Sequence, residues 1–197
     1  EGLFGQPTVV NNVLSLATVP VIFEKGAAFY ADFGLGRSRG TIPLQIAGNV
    51  ARGGLFETAF GMPLGRIVEE IAGGTASGRP VKAVQVGGPL GAYMVPAQFE
   101  TPFGYEEVDG AGGLVGHAGL TVFDDRADML EMARFAMEFC AVESCGKCTF
   151  CRLGTLRMLE VLQRITDGEG REVFGLARIC KACPGLQRLL VDGRGTE

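Results

Sequence analysis

Three cysteines spaced two residues apart constrain this chain more than any other feature. They are Cys145, Cys148 and Cys151, in the run Glu143-Ser-Cys-Gly-Lys-Cys-Thr-Phe-Cys-Arg-Leu-Gly-Thr155. The C-x2-C-x2-C spacing lets one tight turn aim three thiolates at three corners of a small inorganic core, and a distant cysteine then fills the fourth corner. Cys180 and Cys183 are the downstream candidates, one of which would serve; Cys183 is followed by Pro184, as in ferredoxin ligand runs. A tetrahedral zinc site draws instead on two C-x2-C pairs, or on one pair plus histidines. The chain has a single histidine, His117, and groups these cysteines as three and two, so a [4Fe–4S] cluster is the first reading. A structural zinc, or thiols with no metal, are the alternatives.

The placement of the cysteines narrows the setting. Cys140 comes just before the triplet, and the first 139 residues have none. A secreted disulfide scaffold would spread its cysteines through the chain. Clustering for one ligand suits a reducing, cytoplasmic compartment. With 18 Lys+Arg against 22 Asp+Glu, the net charge of −4 offers no basic stripe for a nucleic-acid partner. No window approaches 18 uninterrupted apolar residues, so no direct membrane insertion is expected. The chain opens Glu1-Gly-Leu-Phe-Gly, without a charged-then-apolar leader, and reads as a piece of something longer.

The hydrophobic pattern predicts an α+β fold: a small β-grasp domain followed by a helical bundle that holds the cluster. Residues 1–36 carry a turn-rich opening and an amphipathic run at Leu14, Ala17, Val21 and Phe29, with Pro20 as a break or a first helical turn. Arg37-Ser-Arg-Gly40 reads as a linker. Ile42, Leu44 and Ile46 then alternate as a half-buried strand, and 55–60 and 82–86 supply two more. Between them, Leu64, Ile67, Val68 and Ile71 show helical spacing between Pro63 and Gly73. The first domain therefore covers 37–122, ending in a strand over 120–123. His117 precedes that strand as a loop or cap residue. Residues 123–197 form the helical part: a helix capped by Asp124-Asp125 with an apolar stripe through Met129, Ala133, Met137 and Cys140, then one from about Gly154 to Ile165. On that stripe Cys140 reads as a small buried hydrophobe.

The cysteine run resembles the cluster loop of a known family, the NADH-oxidising, flavin-bearing subunit. That subunit is shared by respiratory complex I, NAD-reducing hydrogenases and soluble NAD-dependent formate dehydrogenases. Gly5-Gln-Pro-Thr-Val-Val-Asn-Asn-Val13 is similar to the end of its flavin domain, and residues 41–90 to its SLBB (β-grasp) domain. The likeness extends to about Arg171. Gln85-Val-Gly-Gly-Pro-Leu-Gly-Ala-Tyr93, Gly116-His-Ala-Gly119 and 133–145 resemble the formate dehydrogenase beta subunit most. The resemblance implies a one-electron relay between FMN/NAD(H) and redox centres on partner subunits, of formate dehydrogenase alpha and gamma type. It makes Asn11, Asn12 and Ser15 FMN-contacting positions and Cys145, Cys148 and Cys151 cluster ligands. The loop and acidic residues that hold FMN and NADH lie upstream of Glu1 in the family, so both cofactors belong with a domain this sequence lacks. Both downstream cysteines also fall closer to Cys151 than the family's fourth ligand does. Lys147 and Arg152 flank the ligands, either favouring thiolate and tuning the cluster or serving as solvated loop charges.

Overall fold

A computed structural model describes residues 2–169, so Cys180 and Cys183 lie outside the described residues. The fold is α+β and centres on a five-stranded mixed sheet. Its strands are β3 (Thr41–Gly48), β4 (Gly54–Ala59), β5 (Val81–Val86), β6 (Ala92–Met94) and β7 (Gly119–Asp124), in the order β4-β3-β7-β5-β6. β3 and β7 run parallel and every other neighbour is antiparallel. β3 behaves as its alternation predicts, with Ile42, Leu44 and Ile46 buried. Pro43 is tolerated because β7 pairs only from Gln45 onward, so its missing N–H costs no bond on that side.

One face of the sheet is closed by the segment between β4 and β5. Helix α3 (Leu64–Arg66) continues as a π-helical turn over Ile67–Ile71 and buries Leu64, Ile67 and Val68 against Leu44, Val84, Val86 and Val122. The Arg52 guanidinium donates to the Glu70 carbonyl (2.6 Å), satisfying part of the exposed helix end. Two pieces absent from the sequence reading complete this layer. Strand β6 extends the sheet edge, and helix α4 (Tyr105–Gly110) inserts Val108 beside fully buried Phe103.

The supposed linker at Arg37–Gly40 is part of the packed body. β1 (Gly34–Leu35) and β2 (Ser38–Arg39) form a hairpin in which Ser38 is buried. Its hydroxyl accepts the Tyr105 N–H (3.0 Å) at the start of α4 and donates to Glu106 (3.3 Å). A polar residue needed 67 positions away cannot be told from a linker residue by composition.

Helix α1 (Val13–Lys25) also departs from expectation. It runs straight through Pro20, and the break falls at Gly26 (φ 88°), where α2 (Ala27–Asp32) begins. No residue of α1 is buried. Val13, Leu14, Leu16, Val19, Val21 and Phe23 are all exposed, and together with half-buried Ile22 they lie on every side of the helix rather than on one stripe. A helix apolar all round is built to be enclosed rather than to sit on a surface.

The C-terminal described part is an antiparallel helical hairpin, α5 (Met129–Glu143) and α6 (Thr149–Thr166). Ala133, Met137 and Cys140 of α5 pack against Leu162, with Leu130, Met158 and Leu159 around them. The cap is Asp128, not Asp124-Asp125: its carboxylate accepts the N–H groups of Leu130 (2.9 Å) and Glu131 (3.2 Å). The two earlier aspartates are committed elsewhere. Asp125 forms a two-pronged pair with Arg79. Asp124, buried at the end of β7, accepts from Ser77 (2.9 Å) and from the Arg126 guanidinium (2.9 Å) and backbone N–H (3.1 Å).

Those donors give Asp124 a testable signature. The Arg126 guanidinium, helped by Ser77, holds its carboxyl below the usual carboxylate range against the opposing effect of burial. A carboxyl depressed in the folded state contributes stability that is complete above its unfolded value, about pH 4. That contribution disappears as pH falls through the lower folded value. Asp124→Asn should therefore flatten part of the acid limb of a stability-versus-pH curve measured by urea unfolding. Superimposable acid limbs for the two proteins would contradict this.

Candidate metal centre

The turn between α5 and α6 carries the cysteine triplet. Cys145 follows the C-cap of α5, Cys148 is the N-cap of α6, and Cys151 lies in its first turn. The helix thus begins about five residues earlier than the expected Gly154, because the three-residue step from Cys148 to Cys151 is itself close to one helical turn. All three thiols are free and exposed. Among the described residues, no group of three or more His, Cys, Asp and Glu side chains forms a set that could hold a metal ion as it stands.

Local contacts fix the turn. Gly146 has φ of 71°, a left-handed conformation that glycine adopts without strain, and its N–H donates to Ser144 Oγ (3.3 Å). Arg152 Nη1 reaches back to the Gly146 carbonyl (3.3 Å), so this arginine braces the loop and is not merely a solvated charge. Ser144 Oγ also lies 3.3 Å from Cys151 Sγ. Thr155, buried one turn further on, donates to the Cys151 carbonyl (2.8 Å). Cys148 makes no side-chain cap bond, so its side chain leaves the first N–H groups of α6 uncapped. With the helix dipole they favour negative charge there, which suits anionic sulfur ligands.

The donor set fits iron–sulfur chemistry: three free thiols within seven residues, at the positive end of a helix, with a backbone turn able to give N–H groups. Cys140 stands apart from that set. Burial, followed by the nearby Cys151, pushes its thiol above the ordinary value, as expected of a small buried hydrophobe. The other singled-out positions do not join the triplet. Asn12 is the N-cap of α1, its side chain accepting the Leu14 N–H (2.8 Å), and Asn11 and Ser15 are exposed nearby. His117 is exposed and packs on backbone; a Cβ placed on Gly88 would sit 2.7 Å from its Nε2. Ser144 and Thr155 escaped the sequence reading. Their only signal was position: immediately before the first cysteine, and one helical turn after the last.

Residues 131–187 match a protein family described as the NADH-ubiquinone oxidoreductase-F iron-sulfur binding region. The match contains all of Cys145, Cys148, Cys151, Cys180 and Cys183, and it continues past Arg171, where the resemblance was expected to fade. The cofactor of this region is a [4Fe–4S] cluster. The chain is 40% identical to the F 2 component of Rhizobium meliloti NADH-quinone oxidoreductase over 185 residues, 94% of this chain and 44% of that protein. It is 37% identical to the HndC component of Solidesulfovibrio fructosivorans NADP-reducing hydrogenase, over 86% of this chain and 35% of that protein. Among solved structures, an NAD+-reducing [NiFe]-hydrogenase in the air-oxidized state superposes with a TM-score of 0.75 at 31% identity, covering 96% of this chain and 34% of that chain. The chain therefore spans less than half the length of these relatives. No helix among the described residues is long and apolar enough to cross a membrane.

Proposed function

We propose that this chain is the electron-relay end of an NAD-linked oxidoreductase subunit, passing electrons between a flavin and redox centres on partner subunits. The observation that carries the reading is the trio of free thiols opening α6 inside the iron–sulfur-binding region. Cys145, Cys148 and Cys151 would hold three corners of the cluster, and Cys180 or Cys183 the fourth. Once bound, such a cluster accepts and returns one electron at a time. The protein's own part is to bring the three thiols together at the start of α6 and to keep the turn closed through Gly146 and Arg152.

FMN and NAD(H) would sit in a preceding flavin domain, with Asn11, Asn12 and Ser15 at its edge. Such a domain would also enclose α1, most of whose apolar residues are exposed. We further propose the division 1–36 for the end of that domain, 37–122 for the SLBB-like domain and 123–197 for the cluster domain. Within the wider class, the stretches 85–93, 116–119 and 133–145 favour a formate dehydrogenase parent, with alpha- and gamma-type partner subunits in the cytoplasm. The hydrogenase and quinone oxidoreductase relatives supply the competing parents.

The intact complex containing this chain tests the relay. NADH should reduce the cluster, giving a paramagnetic signal on freezing, and formate should drive NAD+ reduction. A cluster reducible by dithionite but never by NADH would contradict the relay. NAD+ reduction driven by hydrogen, or NADH oxidation by quinone, in place of formate turnover would reassign the parent.

A further inference from the structure

Among the described residues, Ser144 is the one side chain hydrogen-bonded to a candidate ligand sulfur. Its Oγ lies 3.3 Å from Cys151 Sγ, and the same oxygen accepts the Gly146 N–H at 3.3 Å. The two contacts together set a direction. One lone pair of the hydroxyl is taken by Gly146, which leaves its proton free to point at the sulfur. A ligating thiolate has no proton to give, so between these two atoms only Ser144 can be the donor. Backbone geometry keeps Ser144 there: it is the C-cap of α5 in an extended conformation (φ −63°, ψ 122°), held between the end of one helix and the glycine turn.

We propose that the Ser144 hydroxyl donates a hydrogen bond to the Cys151 sulfur and so raises the reduction potential of the cluster. The inference rests on Cys151 being a cluster ligand. Reduction adds negative charge that spreads onto the ligand sulfurs, and a donor aimed at one of them stabilises the reduced state more than the oxidised one. Ser144 acts through Cys151, as a positioning and tuning residue.

Replacement by threonine keeps the hydroxyl, whereas valine has the same shape without it, and alanine removes the side chain beyond Cβ. An EPR-monitored redox titration of the anaerobically loaded protein should find Ser144→Thr at the parent potential. Ser144→Val and Ser144→Ala should show a reduction constant lower by roughly two- to tenfold, the upper end being about 59 mV for one electron. Pulsed EPR in heavy water should also lose one exchangeable deuteron coupling in Ser144→Val and keep it in Ser144→Thr. If valine and alanine fail to load iron, pulsed EPR of the parent and Ser144→Thr in heavy water decides: a shared exchangeable deuteron coupling to the cluster supports the proposal, and its absence overturns it. A loaded valine or alanine variant at the parent potential overturns it. Absence of iron and sulfide from the parent protein itself would instead sink the cluster reading.

Discussion

Cys148→Ser should lose the cluster while keeping its helix. Cys148 is the N-cap of α6 and caps nothing with its own side chain. Serine is among the preferred residues there, because its oxygen accepts an N–H of the first turn, an exchange that contributes about 0.5–2 kcal/mol in favour of the helix. The same substitution removes one of the proposed sulfur ligands from a set with few to spare. Iron and acid-labile sulfide should fall to near background after anaerobic loading, while helical circular dichroism of the iron-free protein stays at or above the parent level. This separates ligation from folding, which a cysteine-to-alanine change would not do. Parent-level iron in Cys148→Ser would remove this residue from the ligand set. Lost iron together with lost helicity would mean that the thiol holds the hairpin together by packing.

The largest effect on stability should come from Phe103→Ala. Phe103 is fully buried in the sheet core beside Val108 and Val115, and its backbone is held at both its N–H and its carbonyl. Its N–H donates to the Met62 carbonyl (2.9 Å), and its carbonyl accepts from Gly61 (3.0 Å). The backbone therefore has little freedom to collapse into the space an alanine would leave, so both the lost burial and the cavity count. The expected cost is about 3–5 kcal/mol, read as a lower urea midpoint. Leu55→Ala, at a site 70% exposed on β4, serves as the control and should change stability by about 0.5 kcal/mol or less. Equal midpoints for the two variants would mean that Phe103 does not anchor the core.

Much of the fold is legible in the residues, for identifiable reasons. Alternation at Ile42, Leu44 and Ile46 marks a strand because one side of it meets a core and the other does not. The stripe ending at Cys140 works the same way at a period of about 3.6, while the apolar spacing from Leu64 to Ile71 marks a helix whose second part is a π-helical turn. Local patterns fail where the deciding partner is distant. Three aspartates at 124, 125 and 128 compete for the role of cap, and the choice is made by Ser77 and Arg79, far back in the chain. Ser38 looks like linker until α4 comes to rest on it. β6 and α4 are too short, at three and six residues, to show a period at all. In the cysteine turn the spacing singles out the three thiols but not Ser144, because a hydroxyl 3.3 Å from a sulfur seven residues on has no sequence pattern of its own.

Whether the cysteine triplet grips a cubane can be read from metal and sulfide content. Load the parent protein with iron and sulfide without oxygen, remove the excess, and determine iron, acid-labile sulfide and the EPR spectrum after dithionite. About four irons and four sulfides per chain, with a paramagnetic signal of a reduced cubane, is the predicted result. A colourless protein with tightly bound zinc and no labile sulfide would contradict it and leave the triplet as a structural staple.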